Sequence, residues 1–148
     1  MEELKIVIAG FGGQGVVLAG NLIARGCMIE GLNVTGMVSY GVEMRGGTAN
    51  STVIISDGKI ASPVVDRPGA AIILNQPSLD KFEPKMEPGS VMIVNTTLVK
   101  RAVERDELDV LGLAATKIAK ELGSEKVANI VALGAFLAKT NVLKKESV

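Results

Sequence analysis

Residues 4–15 of the chain are LKIVIAGFGGQG, a short apolar run followed at once by glycines. The run, residues 4–9, is rich in β-branched side chains and is typical of a strand buried on both faces of a sheet. Residues 16–28 are apolar or small along most of their length, and Gly31 is a suitable stop for a helix there. The order predicts a strand, a glycine turn and a helix.

The glycine turn is a candidate ligand site. The pattern Gly-x-Gly-x-x-Gly between a strand and a helix is the context in which such turns bind dinucleotides or phosphates. Glycine lets the backbone turn sharply and lets an anion approach the amide groups at the helix N-terminus. The alternative is a tight turn that packs the helix on the strand and binds no ligand. The candidate contacts are Gly10, Gly12, Gly13, Gln14 and Gly15, with Gln14 adding a side-chain amide.

A nicotinamide dinucleotide is disfavoured by the residues after the second predicted strand. Residues 33–39 form that strand and complete a βαβ unit, which is expected to be right-handed. An NAD site places an acid at its end, but Ser39 and Tyr40 stand there, and Glu30 lies upstream of the strand. An NADP site needs a nearby Arg, and Arg45 would have to serve from within the following loop.

The polar loop at residues 40–50, YGVEMRGGTAN, is the second candidate ligand contact. Because it follows the second strand, we expect it at the same sheet edge as the glycine turn. Arg45 is suited to bidentate contacts with a phosphate or carboxylate, and the amides of Gly46 and Gly47 can join it. Glu43 either orients Arg45 or binds a partner. The alternative is a flexible surface loop with solvated charges.

The remaining pattern predicts an α/β fold, Rossmann-like and doubly wound, with a mostly parallel sheet and an inserted β-hairpin. The hairpin is expected from residues 51–56, the Asp57-Gly58 turn and residues 59–62. Further strands are predicted at 70–74, 90–94 and 109–113, and helices at 77–85, 114–122 and 124–140, with Gly123 and Ser124 as caps. The charged run 101–109 is expected to be a solvated face. No linker or repeat divides residues 1–148, which predicts a single domain.

Composition excludes several classes of function. Sixteen basic residues balance sixteen acidic ones, and one Tyr, three Phe and no Trp leave few stacking platforms, so nucleic acid is not expected as a partner. One Cys and no His exclude a self-contained Cys-ligated cluster and imidazole chemistry. An acidic N-terminus and no apolar run near about 20 residues predict a cytoplasmic protein without membrane contact.

The glycine turn GFGGQG at 10–15 and the loop SYGVEMRGGTAN at 39–50, in this order, resemble the gamma subunit of 2-oxoacid:ferredoxin oxidoreductases. The chain is most similar to the 2-oxoglutarate and branched-chain 2-oxoacid (2-oxoisovalerate) types within this pyruvate oxidoreductase gamma family, and the resemblance covers essentially its whole length. It implies a multi-subunit enzyme that decarboxylates a 2-oxoacid, reduces ferredoxin and releases an acyl-CoA. The isolated chain is then expected to be inactive.

The resemblance also implies where the cofactors lie. Thiamine diphosphate is expected between other subunits and the iron–sulfur clusters on a Cys-rich, ferredoxin-like subunit, with the gamma subunit near the CoA entrance. None of these cofactors is expected on this chain alone. The residues carried over to the CoA site or a subunit interface are Gly12, Gly13, Gln14, Gly15, Tyr40, Glu43, Arg45, Gly46 and Gly47.

The chain departs from the family pattern at three points. Many relatives have Pro at the position of Val42 and Cys at that of Ser51, and many continue past Val148 into a further helix that is expected to be missing here. Loss of the Pro removes a restraint on the loop backbone. Two alternatives stay open: a free-standing nucleotide-binding regulatory domain, and a small NAD(P)-dependent dehydrogenase, which the missing ribose acid disfavours.

Overall fold

A computed structural model of the chain describes residues 3–40 and 48–148, with only the backbone of Tyr40. The strands are β1 (Leu4–Phe11), β2 (Asn33–Tyr40), β3 (Thr48–Ser56), β4 (Ala70–Ile73), β5 (Val91–Asn95) and β6 (Asp109–Leu113). The helices are α1 (Val16–Ile29), α2 (Gln76–Phe82), α3 (Ala115–Glu121) and α4 (Ala128–Thr140). Short 3-10 helices lie at Glu83–Lys85, Glu125–Val127 and Lys145–Ser147.

The strands of the described residues form a six-stranded mixed sheet in the order β2-β3-β1-β4-β5-β6. The pairs β1–β4, β4–β5 and β5–β6 are parallel, while β3 is antiparallel to both β1 and β2. All strands except β3 therefore run in one direction. The predicted α/β fold with a mostly parallel sheet is confirmed.

The hairpin prediction is wrong in its second strand. Residues 59–65 have no regular secondary structure, and the hairpin consists instead of β2 and β3, joined by the polar loop. The physical reason is that β3 is a central strand, so its two edges are already paired to β1 and β2. At its end the Gly58 amide donates to Ser56 Oγ at 3.0 Å and Asn33 Nδ2 donates to the Gly58 carbonyl at 2.7 Å, which turns the chain away from the sheet.

The position of β3 between β2 and β1 also corrects the predicted βαβ unit. β2 runs parallel to β1, as expected for strands joined by a helix, but β3 lies between them. Residues at alternating positions of β3 explain why it fits there: Val53 and Ile55 pack in the core beneath α1, and Ile54 is buried on the opposite face. A strand with apolar side chains on both faces is stable in the interior of a sheet.

β1 is buried on both faces, as predicted. Ile6 and Ile8 pack in the cluster formed with α1, α3 and α4, whereas Val7 and Ala9 pack in the cluster formed with α2. All four residues are fully buried. Helices therefore cover both faces of the sheet, and β1 lies between the two helix layers.

The predicted helix ends are confirmed by their backbone bonds. Gly31 has a φ of 77°, and the Leu32 amide donates to the Cys27 carbonyl at 2.8 Å, so α1 ends in a Schellman motif. Gly123, with a φ of 117°, ends α3 in the same way. Ser124 Oγ then accepts from the Lys126 amide at 3.2 Å and caps the turn that leads into α4.

The connections after β1 and β4 leave the sheet on opposite faces. α1 follows β1 into one core cluster and α2 follows β4 into the other, although β1 and β4 are neighbouring parallel strands. Such a reversal opens a crevice at the carboxyl ends of the two strands, and this is where doubly wound proteins bind ligands. The glycine turn lies at that edge.

The charged run 101–109 is the predicted solvated face in part, with exposed acidic side chains, but its two arginines bond to the segment at the end of α2. Arg101 Nη1 donates to the buried carboxylate of Glu83 at 2.7 Å, and the same carboxylate accepts from the amides of Glu104 and Arg105 at 2.6 and 3.0 Å. Arg105 Nη1 donates to the carbonyls of Glu83 and Met86. These bonds fix the connection between β5 and β6 against the end of α2.

β6 forms one edge of the sheet and is largely exposed. Val110 and Leu111 have 38% and 36% of their surface exposed. The charge of the strand, Asp109 at its first residue, pairs with Lys139 of α4 at 3.0 Å. The remaining residues of β6 are uncharged.

The Glu83 cluster predicts a pH-dependent stability. Burial raises the pKa of the Glu83 carboxyl, but hydrogen bonds from Arg101 and from the amides of Glu104 and Arg105 outweigh it and hold the pKa below its ordinary value of 4.5. A depressed folded-state pKa contributes stability above pH 4.5 that is lost as the pH falls through the folded-state pKa. Glu83→Gln should remove this dependence and lower the free energy of unfolding at pH 7 by about 1–3 kcal/mol.

Urea denaturation of both proteins at pH 7 and at pH 3 measures this effect. Glu121→Gln, a change of an exposed carboxylate at the end of α3, is the control and should leave the free energy of unfolding at pH 7 nearly unchanged. A Glu83→Gln chain that loses as much stability on acidification as the original would contradict the assignment.

Candidate ligand site at the carboxyl edge of the sheet

The glycine turn leaves the N-terminus of α1 without a side-chain cap. The Gln14 amide donates to the Phe11 carbonyl at 3.1 Å and closes the turn, and Gly15, with a φ of 76°, is the N-cap residue. Glycine offers no side-chain oxygen to the first amides of the helix, which have no acceptor within it. Those N–H groups and the helix dipole favour an anion at this end.

The Gln14 side chain serves the turn itself. Its Oε1 accepts from the Phe11 amide at 2.5 Å and occupies the space beside Gly10. A Cβ at Gly10 would lie 2.4 Å from that oxygen and 3.1 Å from Leu74 Cβ, so a side chain there would displace the Gln14 amide. A ligand contact by Gln14 stays a prediction, and Nε2 is the side-chain atom that could make it because Oε1 is already bonded to the Phe11 amide.

The outer side of the turn is open. Among residues 3–40 and 48–148, no atom lies within 4 Å of a Cβ placed on Gly12 or on Gly13. Gly13 needs glycine for its φ of 89°, but Gly12 has neither a positive φ nor a close neighbour. The backbone at Gly12 is therefore free of any packing or conformational demand for glycine, which fits a surface that a ligand approaches.

Both ends of the polar loop lie beside the glycine turn, as the sequence predicts. Thr48 pairs with Phe11, and Tyr40 pairs with Ala49, which itself pairs with Gly10. The residues predicted to contact the ligand from this loop, Glu43, Arg45, Gly46 and Gly47, lie outside the described residues. Their roles and that of the Tyr40 side chain stay predictions.

Two asparagines at this edge were not predicted as site residues. Asn129, at the start of α4, is 3% exposed, and its Nδ2 donates to the Gly15 carbonyl at 3.1 Å. Asn75 follows β4, is 1% exposed, and caps α2 by accepting from the Ser78 amide at 3.0 Å. An Asn directly after a buried strand and before a Pro is a capping pattern that the sequence carries. The contact between Asn129 and Gly15 spans 114 residues and has no local pattern.

Buried polar atoms without a partner concentrate at the same edge. Among the described residues they are Asn75 Nδ2, Ser78 Oγ and Asn129 Oδ1. Asn75 and Ser78 start α2 on one side of the crevice, and Asn129 lies against Gly15 on the other side. Each such atom costs about 1–3 kcal/mol unless it finds a partner. The carboxyl edge thus holds unused hydrogen-bonding capacity.

The described residues contain no group of three or more His, Cys, Asp or Glu side chains placed to hold a metal ion. Cys27 is buried, and burial, followed by the charge of Glu30, raises the pKa of its thiol to about 11. The thiol stays protonated at neutral pH, as expected for a core residue. No helix within residues 3–40 and 48–148 has the length and apolar character to cross a membrane.

The glycines of the turn predict a graded stability series. Gly12→Ala should change the free energy of unfolding by less than about 0.5 kcal/mol, because its Cβ meets nothing. Gly13→Ala should cost about 1–2 kcal/mol, because its φ of 89° is left-handed. Gly15→Ala should cost more, about 3 kcal/mol, because a Cβ there also lies 2.3 Å from Asn129 Nδ2.

Urea denaturation of the three variants beside the original chain tests the order. Equal stability of the Gly12→Ala and Gly15→Ala chains would show that the turn does not have this geometry.

The chain is similar to subunits of 2-oxoacid oxidoreductases. It is 38% identical over 137 residues to the ketoisovalerate oxidoreductase subunit VorA of Methanothermobacter marburgensis, covering 93% of this chain but 28% of that protein. The chain thus spans only about a quarter of the length of VorA. It is also 38% identical to the 2-oxoglutarate synthase subunit KorC of Methanocaldococcus jannaschii, with 97% of this chain and 79% of KorC covered.

Solved structures share the fold. The gamma subunit of a keto/oxoacid ferredoxin oxidoreductase from Geobacter sulfurreducens superimposes with a TM-score of 0.84 at 36% identity, over 97% of this chain and 81% of that one. A 2-oxoglutarate:ferredoxin oxidoreductase from Magnetococcus marinus, solved with 2-oxoglutarate, coenzyme A and succinyl-CoA, has the same fold, with a TM-score of 0.86 at 24% identity over 99% of this chain and 26% of that one. The model of the pyruvate ferredoxin/flavodoxin oxidoreductase family matches residues 5–148. This chain, with its uncapped glycine turn, belongs to that family.

Proposed function

We propose that this chain is the gamma subunit of a 2-oxoacid:ferredoxin oxidoreductase, which converts a 2-oxoacid and CoA to an acyl-CoA and CO₂ while reducing ferredoxin. The proposal is supported by the family match over residues 5–148 and by the nearly complete overlap with the gamma subunit from Geobacter sulfurreducens. The observation that carries it is the uncapped, open N-terminus of α1, since this gives the subunit a ligand site of its own.

The ligand that suits this site is CoA. Its diphosphate offers the negative charge that the free amides of α1 favour, and the open side of Gly12 and Gly13 lets a phosphate approach the backbone. Arg45, Gly46 and Gly47 are proposed to approach the same ligand from the loop between β2 and β3. The bound coenzyme A of the Magnetococcus marinus enzyme supports this choice of ligand.

The chemistry of the reaction is assigned to partner subunits. Thiamine diphosphate, held by a thiamine-binding subunit, would supply the electron sink that decarboxylation needs, and iron–sulfur clusters on a ferredoxin-like subunit would supply the path for electrons to ferredoxin. The residues of this chain bind and orient CoA at the carboxyl edge of the sheet. A cytoplasmic heteromer with these partners is proposed, and contacts to the 2-oxoacid lie on the other subunits.

Copurification tests the proposed assembly. A tag on this chain, introduced in its native host, should recover a thiamine-binding subunit and a subunit with iron–sulfur clusters. The isolated chain should have no turnover, and omission of this chain from the reassembled complex should abolish ferredoxin reduction that depends on CoA. A chain recovered alone, which binds ATP in calorimetry, would instead support a free-standing nucleotide-binding regulatory domain.

Gly12→Val is expected to separate ligand binding from stability. A Cβ at Gly12 meets no atom of the described residues, so the urea midpoint of Gly12→Val should change little. The valine side chain occupies the surface that CoA is proposed to cover, so KM for CoA in the reassembled complex should rise about tenfold or more while KM for the 2-oxoacid stays the same. An unchanged KM for CoA would place the ligand elsewhere.

Arg45→Ala should raise KM for CoA by about tenfold, the value of one charge-assisted contact to phosphate, and should raise it more than KM for the 2-oxoacid. Arg25→Ala, at an exposed position of α1, is the matched control for loss of a positive charge. Steady-state assays with each substrate varied in turn measure both constants. An unchanged response to CoA with a dissociated complex would make the loop an interface element.

A further inference from the structure

Asn129 holds the N-cap residue of α1 from across the core. Its Nδ2 donates to the Gly15 carbonyl, which also accepts from the Ala19 amide at 3.0 Å. An ideal Cβ on Gly15 would lie 2.3 Å from Nδ2, so only glycine lets the two groups approach this closely. The Asn129 amide is therefore in direct contact with the backbone at the start of α1.

Half of the Asn129 amide has no partner among the described residues. Oδ1 forms no hydrogen bond there, and the residue is only 3% exposed. Asn95 at the same edge shows how a structural asparagine is satisfied: its Nδ2 donates to the Leu74 carbonyl and to Thr116 Oγ1, and its Oδ1 accepts from the amides of Thr97 and Thr116. Stability therefore does not explain the asparagine at 129, because an apolar side chain of that size would leave nothing unsatisfied.

We propose that Asn129 is a positioning residue for the ligand site at the N-terminus of α1, an inference that rests on the proposed function of that site. The Gly15 carbonyl and the Val16 amide belong to one planar peptide group, so a bond that fixes the carbonyl also fixes the direction of the Val16 N–H. That N–H is the first of the free donors of α1. Asn129 thus fixes the direction of the Val16 N–H without contacting the ligand.

α4 gives Asn129 a rigid support. Ala132, Leu133 and Phe136, on the same helix, are buried in the core cluster that also contains Val16 and Ala19 of α1. The side chain therefore starts from a backbone that is fixed relative to α1. Preorganisation of this kind lowers the cost of binding, because the donors already point at the ligand when it arrives.

Asn129→Leu and Asn129→Asp test the proposal. Leucine has a similar size and removes both the bond and the unpartnered atom, so the urea midpoint should stay the same or rise. A carboxylate keeps the shape but cannot donate to the Gly15 carbonyl. Ile130→Leu, at the exposed next residue of α4, is the control for a change on the same helix.

Two readouts are needed. In the full chain, hydrogen exchange of the Ala19 amide, which donates to the Gly15 carbonyl, should become about five to ten times faster in both variants, the factor that one hydrogen bond is worth, while exchange in the middle of α4 stays the same. In the reassembled complex, KM for CoA should rise by a similar factor with kcat unchanged. Ile130→Leu should change neither quantity.

The outcomes separate this proposal from the one on which it rests. Unchanged exchange of the Ala19 amide overturns the positioning role. Faster exchange with an unchanged KM for CoA also overturns it, if Gly12→Val raises that KM. If Asn129→Leu, Gly12→Val and Arg45→Ala all leave KM for CoA unchanged while exchange is faster, the proposed CoA site is wrong, and Asn129 remains the residue that orders the turn.

Discussion

Four consecutive residues of β1, at positions 6–9, have no exposed surface because helices cover both faces of the sheet. The strand that carries the glycine turn is therefore the most constrained part of the chain. The turn must leave a fully packed strand and enter a helix on one face, while the neighbouring strand β4 sends its helix to the other face. The crevice at the carboxyl edge follows from that division, since the two helices move apart from a common point.

The glycines of the turn respond to that constraint in different ways. Gly10 makes room for the Gln14 side chain, Gly13 has a left-handed backbone, and Gly15 combines a left-handed backbone with the close approach of Asn129. Gly12 meets none of these demands. The four glycines of this short segment thus have different roles in packing, backbone conformation and access to the surface. The sequence pattern alone does not distinguish these roles.

Local patterns sufficed to predict β1, α1, α3, β6 and the helix ends at Gly31 and Gly123, because periodicity and cap residues lie within a few positions of one another. Partner choice in the sheet was not predictable in the same way. Asp57-Gly58 follows β3 and favours a hairpin with the segment after it, but the strand pairs on both edges with earlier strands. The Glu83 cluster and the Asn129 contact were missed for a similar reason, since their partners lie 18 and 114 residues apart.

Within the described residues, β6 ends the sheet with an unpaired edge, where Val110 and Leu111 are 38% and 36% exposed. Natural sheets protect such edges with charges, proline or a covering segment, and the charge at Asp109 is already neutralised by Lys139. An open, apolar edge is a template for pairing with any extended chain, which includes unfolded copies of the same polypeptide. Aggregation during overproduction is thus a consequence of strand order that the proposed partner subunits could reduce only if one of them covers this edge.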